Sequence, residues 1–335
     1  MNKLQKLKNQ LSSSYKKEII FNLSPASGYR SRCEFGYKNG SYTMVKDGKK
    51  VLLDHFDLPV SAIQNIMKPL LEAINTNPLI NKKLFQINFR AVNQIVLVTL
   101  IYHKQLDQNW LESARIIETK LDINVLGRSK KQLLATHLTE LEQYIDINPS
   151  YYLYQNDKTF YQPNAFLMPK MVKLVISLIE NPRDLLELYC GSGTFTIPLS
   201  YSFKNVFATE NNRESISYLK KSIHKNHIKN IFYARLSDIE LMDAYKGRIF
   251  RRLENIDLKN FNFSHVLVDP PRSGLSHNVT EILNKFKNII YISCNPDTFK
   301  RDLDKLKDYR IKKLEVFDQF SNTPHLELIA LLIKR

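Results

Sequence analysis

The stretch LLELYCGSGTFT, residues 185–196, decides the fold. Leu185–Tyr189 is a mostly apolar run of strand length, and Gly191 and Gly193 follow it closely. A short apolar run stopped by glycines reads as a strand turning sharply into a helix. Working outward, similar runs recur at Val206–Thr209, Ile231–Ala234, Val266–Val268, Ile289–Ser293, Leu314–Phe317 and Leu326–Ile333. Amphipathic segments separate the first five of these seven runs. Strand–helix alternation predicts an α/β protein built on a parallel, doubly wound, Rossmann-like sheet. Ligands on such sheets sit beyond the carboxyl ends of the strands, so the residues just past each run are the candidates for chemistry.

Past the first strand lies the glycine turn. A dinucleotide pattern would place a third glycine at position 196, which is Thr196. Past the second strand lies Glu210, nineteen residues after Gly191. A carboxylate there suits the two hydroxyls of a ribose. An adenosine cofactor without a pyrophosphate fits better than NAD, and S-adenosylmethionine is that cofactor. Past the fourth strand comes Asp269-Pro-Pro-Arg272-Ser-Gly274, where the prolines make a stiff extended wall. Enzymes that methylate base amines place an aromatic after such prolines. Arg272 fits a phosphate or a polar base edge instead, or else a surface charge at a helix start.

Past the fifth strand, Cys294 precedes Asn295-Pro296, a helix-start signature. A helix N-terminus is expected to lower a thiol pKa. Taken alone, a cysteine ending an apolar strand is more often an inert core residue. Its place at the cofactor edge favours a nucleophile. Glu327 lies inside the last apolar run, where a carboxylate is costly unless partnered or functional. The plainer alternative is an outward-facing position on an alternating strand.

The chain has 335 residues, with 49 Lys+Arg against 33 Asp+Glu and a formal charge of +16. Such a charge suits a polyanionic partner, or reflects a basic proteome. Residues 1–160 carry 22 basic and 14 acidic residues, so the excess is not a tail. The three cysteines Cys33, Cys190 and Cys294 have no metal-ligand spacing, and no metal is expected. Their odd number and the absence of a signal-peptide pattern predict a cytoplasmic protein. The longest run dominated by apolar residues, Ile95–Tyr102, is far short of a membrane span. Leu84–His103 predicts a buried strand, and Trp110–Leu121 a helix. The polar, aromatic stretch Asp146–Lys158 predicts a boundary, giving domains 1–155 and 156–335.

Taken together, Gln162-Pro-Asn164, LYCGSGTF, ATE (208–210), VDPPRSGL, YISCNP and HLE resemble the RNA uracil-5 methyltransferases. Over nearly the whole chain the resemblance is to the tRNA (uracil-5-)-methyltransferase branch. SPASGYRSRCEFGY (24–37) and LIYHKQLDQNW (100–110) are similar to its RNA-binding half. The resemblance implies a class I S-adenosylmethionine-dependent fold with a seven-stranded sheet and an N-terminal α+β RNA-binding domain. It implies methylation at C5 of the T-loop uridine, position 54 of tRNA, with Cys294 as nucleophile and Glu327 as base. Gln162, Tyr189, Gly191, Thr194, Glu210 and Asp269 fall at cofactor positions. Thr194 departs from the relatives' Asn. Phe85 and His103 fall where aromatic groups fill an opened loop, while Arg30 and Arg32, as surface arginines, and Arg272, from its own motif, are candidate RNA contacts. A monomer is expected. The ribosomal branch usually carries four cluster-binding cysteines and an extra module that this chain lacks. A non-catalytic RNA-binding or tRNA-folding protein is the remaining alternative.

Overall fold

The computed structural model describes residues 3–46, 48–53, 55–321 and 323–335. The chain opens with helix α1 (Lys3–Leu11) and strand β1 (Ile20–Leu23). A seven-stranded sheet follows, from β2 (Arg32–Lys38), β3 (Ser41–Lys46), β4 (Lys49–Leu52), β5 (Leu84–Val92), β6 (Ile95–Tyr102), β7 (Asn124–Ser129) and β8 (Gln132–Ala135). Its order is β4-β3-β2-β5-β6-β7-β8. Helices α2 (Ser61–Thr76), α3 (Pro78–Asn81) and α4 (Gln108–Leu121) complete this half. Ile63, Leu70, Ile74, Trp110 and Ile117 from the helices bury with Phe35, Phe89 and Val98 from the strands. The stretch Leu84–His103 is two antiparallel strands rather than one, because Asn93 takes a positive φ of 55° and reverses the chain.

The second half begins with the hairpin β9 (Leu141–Ile145) and β10 (Tyr151–Gln155) and helix α5 (Met168–Ser177). Then come β11 (Asp184–Leu188), α6 (Thr196–Leu199), β12 (Asn205–Thr209), α7 (Arg213–Lys225), β13 (Ile231–Ala234) and α8 (Asp238–Tyr245). The last elements are β14 (Phe263–Val268), α9 (His277–Leu283), β15 (Asn288–Ser293), α10 (Pro296–Lys305), β16 (Tyr309–Asp318) and β17 (Glu327–Lys334). The sheet order is β1-β16-β17-β15-β14-β11-β12-β13. β11 to β15 run parallel, and β17 is antiparallel to both β15 and β16.

All seven expected strands are present, but the sheet has eight. β1 pairs in parallel with β16 and covers what would otherwise be an open edge. Leu7, Leu11, Tyr15 and Ile19 enter the same core as Val266, Phe299 and Val316. Residues 3–23 therefore pack with the second half. So does the hairpin: Tyr152 N donates to Asn226 Oδ1 on the C-terminal side of α7 (2.8 Å), and Tyr154 N to Ser222 Oγ (3.0 Å). Both ends of the expected unit 1–155 thus pack with the second half, β1 through the eight-stranded sheet and the hairpin through α7. The seven-stranded sheet between them spans residues 32–135.

Gly127 on β7 shows how tightly the first half is packed. A Cβ there would lie 2.3 Å from the Trp110 ring and 2.6 Å from Leu106. Overpacking of that kind costs about 1–3 kcal/mol. Chemical denaturation of Gly127→Ala should show a loss in this range, and an unchanged midpoint would mean that Trp110 can yield.

Candidate active site

At the end of β11 the backbone takes positive φ at Tyr189 (60°), Gly191 (56°) and Gly193 (100°). The two glycines serve different ends. A Cβ on Gly191 would face open space, whereas one on Gly193 would lie 2.7 Å from Leu219 Cδ1 on α7. Only Gly191 leaves room for a ligand; Gly193 lets a helix close on the turn. Thr196, fully buried, starts the single turn of α6. Thr194 lies half-buried in the turn.

Glu210 ties the first two strand ends together. Its carboxylate accepts from Gly191 N (3.1 Å) and Asn212 N (2.7 Å). Beside it, Leu188, Tyr189, Thr209, Leu236, Ser237 and Asp238 help line a cavity of about 100 Å³. Ser237 and Asp238 were not anticipated, although an acidic residue just past the third strand follows the logic that selects Glu210. Ser237 caps α8, accepting from Glu240 N at 3.2 Å. Gln162 is buried, and its Oε1 accepts from Gln319 Nε2 at 2.9 Å. Its neighbour Asn164 is a joint: the side chain donates to Ser24 Oγ (2.6 Å) and accepts from Leu167 N (2.9 Å).

The loops that carry Arg272 and Cys294 are locked to one another. A Cβ on Gly274 (φ 76°) would lie 2.5 Å from both Arg301 and Asp302 of α10. Buried Asp302 accepts from Leu275 N and from the Tyr291 hydroxyl, each at 2.8 Å. Asn295 caps α10 by accepting from Asp297 N (3.0 Å) and donates to Arg272 O (3.2 Å). On the other side of Cys294, the antiparallel register pairs Ser293 with Leu328. One residue beyond that pair lie Cys294, in the bend after β15, and buried Glu327, whose charge acts on the thiol.

The electrostatics of this edge are those of crowded acids. Burial pushes Asp269 up to about 7. Burial, then the charge of Asp269, pushes Glu187 up to about 8 and holds Glu327 well above the usual carboxylate range. Among the described residues, Glu187 Oε2 has no hydrogen-bond partner. Cys294 is pushed up to about 11 by burial, then by Glu327 and Asp269, against a smaller opposing pull from Arg272. This corrects the expectation of a helix-activated thiol: buried carboxyls outweigh the start of α10. Desolvation also pushes Cys33 up to about 12 and Cys190 well above its ordinary value.

A second cavity, of about 310 Å³, opens over Cys294 and is lined by Arg272, His325 and Leu326 together with Lys3, Lys6 and Gln10. The residues of α1 here carry no sequence signal, being some 290 positions from Cys294. Arg30 reaches this region indirectly. Its guanidinium lies 5.8 Å from the Phe320 ring, and Phe320 meets His325 edge-on. Arg32 turns away to pair with Glu34. Phe85 and His103 do meet, stacked at 3.8 Å and 11°, on the seven-stranded sheet; neither lines the cavity over Cys294.

This sheet, with its glycine turn and the Glu210 carboxylate at the neighbouring strand end, has the fold of the class I S-adenosylmethionine-dependent methyltransferases. A sequence model of the tRNA (Uracil-5-)-methyltransferase family matches residues 1–335, and the chain belongs to that family. It is 43% identical over 322 residues to a tRNA/tmRNA (uracil-C(5))-methyltransferase of Campylobacter concisus, covering 93% of this chain and 88% of that one. The corresponding protein of Campylobacter lari is 41% identical over 326 residues, covering 94% and 93%. The fold matches the crystal structure of Pyrococcus abyssi tRNA (uracil-54, C5)-methyltransferase in complex with S-adenosyl-L-homocysteine. That match has a TM-score of 0.77 and 24% identity, over 99% of this chain and 82% of that one. No helix among the described residues is long and apolar enough to cross a membrane.

Two measurements test the acid cluster. Alkylation of Cys294 in the free protein at pH 8 should be about 100-fold slower than that of an ordinary cysteine, and should still be rising above pH 9. A plateau near 8.5 would show an unburdened thiol. Carboxyls with raised folded-state pKa values stabilise fully below their unfolded values, and that contribution is lost as pH rises through the folded ones. The melting temperature should therefore fall between about pH 4.5 and pH 8. Glu187→Gln should flatten that fall, and an unaltered slope would remove Glu187 from the cluster.

Proposed function

We propose that this protein methylates C5 of the T-loop uridine at position 54 of tRNA through a covalent adduct between Cys294 and C6. The observation that carries it is the placing of a half-buried thiol and a buried carboxyl, Cys294 and Glu327, one residue beyond the last β15–β17 pair, Ser293 and Leu328, where the carboxyl acts on the thiol. Gln162, Tyr189, Gly191, Thr194 and Glu210, joined by Ser237 and Asp238, would hold the cofactor. Bound there, S-adenosylmethionine supplies an electrophilic methyl group carried on a cationic sulfur. The residues fit such a group: Gly191 leaves room, and the buried carboxyls of Glu187, Asp269 and Glu327 are costly to ionise unless a cation joins them.

C5 of uracil is a poor nucleophile on its own. The Cys294 thiol gives up its proton to solvent, and the thiolate adds at C6, forming an Sγ–C6 bond and moving the ring electron pair toward C5. Once C5 carries the methyl group, Glu327 takes the C5 proton, the ring double bond re-forms and the Sγ–C6 bond breaks. Arg272 favours the thiolate and faces the incoming RNA. The target base must leave its stack to reach this cavity. The Phe85–His103 pair then offers an aromatic surface to the loop it vacates. Arg30 serves the phosphate backbone. The relatives from Campylobacter are named for tmRNA as well as tRNA, so a T-loop in a second RNA is the next substrate to try.

The deciding assay follows labelled methyl transfer to an unmodified tRNA transcript and to one with the T-loop uridine replaced by cytidine. Label in the first alone is expected; label in both moves the target. Cys294→Ala should cut turnover by ~10³-fold or more while leaving cofactor affinity within about twofold. Glu327→Gln should accumulate a denaturation-resistant protein–RNA adduct. Normal turnover in that variant would remove Glu327 as the base.

A further inference from the structure

Helix α1 touches the turns on both sides of the reacting pair. Its apolar residues Leu7 and Leu11 are buried in the core of the eight-stranded sheet, which seats the helix. From its first residue, Lys3 Nζ donates to Asp318 Oδ1 (2.6 Å), Phe320 O (3.0 Å), Ser321 O (3.1 Å) and Thr323 O (2.8 Å). Asp318 is the last residue of β16, and the other three acceptors belong to the connection between β16 and β17, which ends at Glu327. Two further ties reach this connection from outside, Ser24 Oγ donating to Asp318 O (2.6 Å) and Tyr29 Oη meeting Ser321 Oγ (3.1 Å). Near the other end of α1, Gln10 Nε2 donates to Asp297 Oδ1 (2.9 Å) and Pro296 O (3.3 Å). Those groups open α10, two and three residues after Cys294. Lys3 and Gln10 are seven residues apart, about 10 Å of rigid helix. Between them Leu7 lines the cavity over Cys294.

The Cys294 loop and the Glu327 connection leave β15 and β17 in opposite chain directions. The sheet register fixes the strands, but not the turns beyond them. A rigid rod bonded to both turns does. We propose that α1 is part of the catalytic machinery, with Lys3 and Gln10 as positioning residues that hold the Glu327 and Cys294 turns in a fixed relation. This rests on the uridine-C5 reading given above. It gives residues 3–11 a task in a site whose reacting groups come from the last forty-two.

The two anchors should fail in different ways. In a T-loop transcript carrying 5-fluorouridine, Sγ adds to C6 and C5 accepts the methyl group of S-adenosylmethionine. Fluorine cannot leave as a cation, so no base is needed and the adduct remains. Its rate of formation therefore reads the Cys294 side alone, whereas turnover on ordinary tRNA reads both sides. In the full-length protein, Lys3→Met should lower kcat ~10-fold with KM for tRNA little changed and the trapping rate within about twofold of wild type. Lys3→Arg should restore most of the loss. Gln10→Ala should slow trapping and turnover together, by ~3- to 10-fold. Both variants should bind cofactor as wild type does.

Wild-type kcat in both variants would overturn the proposal. So would a loss confined to KM, which would make α1 only a contact surface for RNA. Cofactor affinity and melting temperature falling in step with activity, without rescue by Lys3→Arg, would reduce α1 to a packing element. Failure of the wild-type protein to form the fluorouridine adduct would overturn the parent reading, and with it any catalytic task for α1.

Discussion

The antiparallel insertion of β17 between β15 and β16 is the constraint on which the rest depends. Parallel strands deliver their carboxyl ends to one edge of a sheet. A carboxylate at the start of the last strand reaches that edge only if the strand runs the other way. Because β17 does, Glu327 arrives beside Cys294 with no long loop. The cost is a connection between β16 and β17 that must be held in place from outside the sheet. Lys3, Ser24 and Tyr29 hold it, all of them from the first tenth of the chain.

A protein with a net charge of +16 keeps an acidic centre. The two facts are complementary. Arg272, Lys6 and His325 line the mouth over Cys294, where a polyanion would arrive. Behind them, buried Glu187 and Glu327, with Asp269 beside them, resist ionisation and burden the thiol. A thiol held protonated in the free protein is protected from adventitious oxidation and alkylation.

Local reading of the sequence went furthest where a residue's role depends on its immediate neighbours. The seven strands of the second half lie within a few residues of the apolar runs, and Trp110–Leu121 lies within α4. Cys294, Asp269 and Arg272 fall past strand ends, Glu327 opens the last strand, and electrostatic influence now links them. The local signal misled where a partner was distant. Gly193 looks like a ligand glycine, but it is required by Leu219 on a helix that starts twenty residues later. The start of α10 looks like a device to activate a thiol, but burial and the carboxyls of Glu327 and Asp269 oppose it.

By itself, the sequence determined the alternation of strand and helix, the residues that end each strand, and the chemistry those residue types can perform. These follow from short-range propensity and from the period of apolar residues, which a chain carries locally. Tertiary structure alone decided that residues 3–23 join the second sheet, that β1 closes its edge, and that α1 stands over Cys294. Such contacts span some three hundred residues, and no local pattern encodes which distant edge an isolated amphipathic segment will cover. Burial is likewise a property of the assembled fold, so the protonation of Cys294 and its neighbouring acids was settled only there.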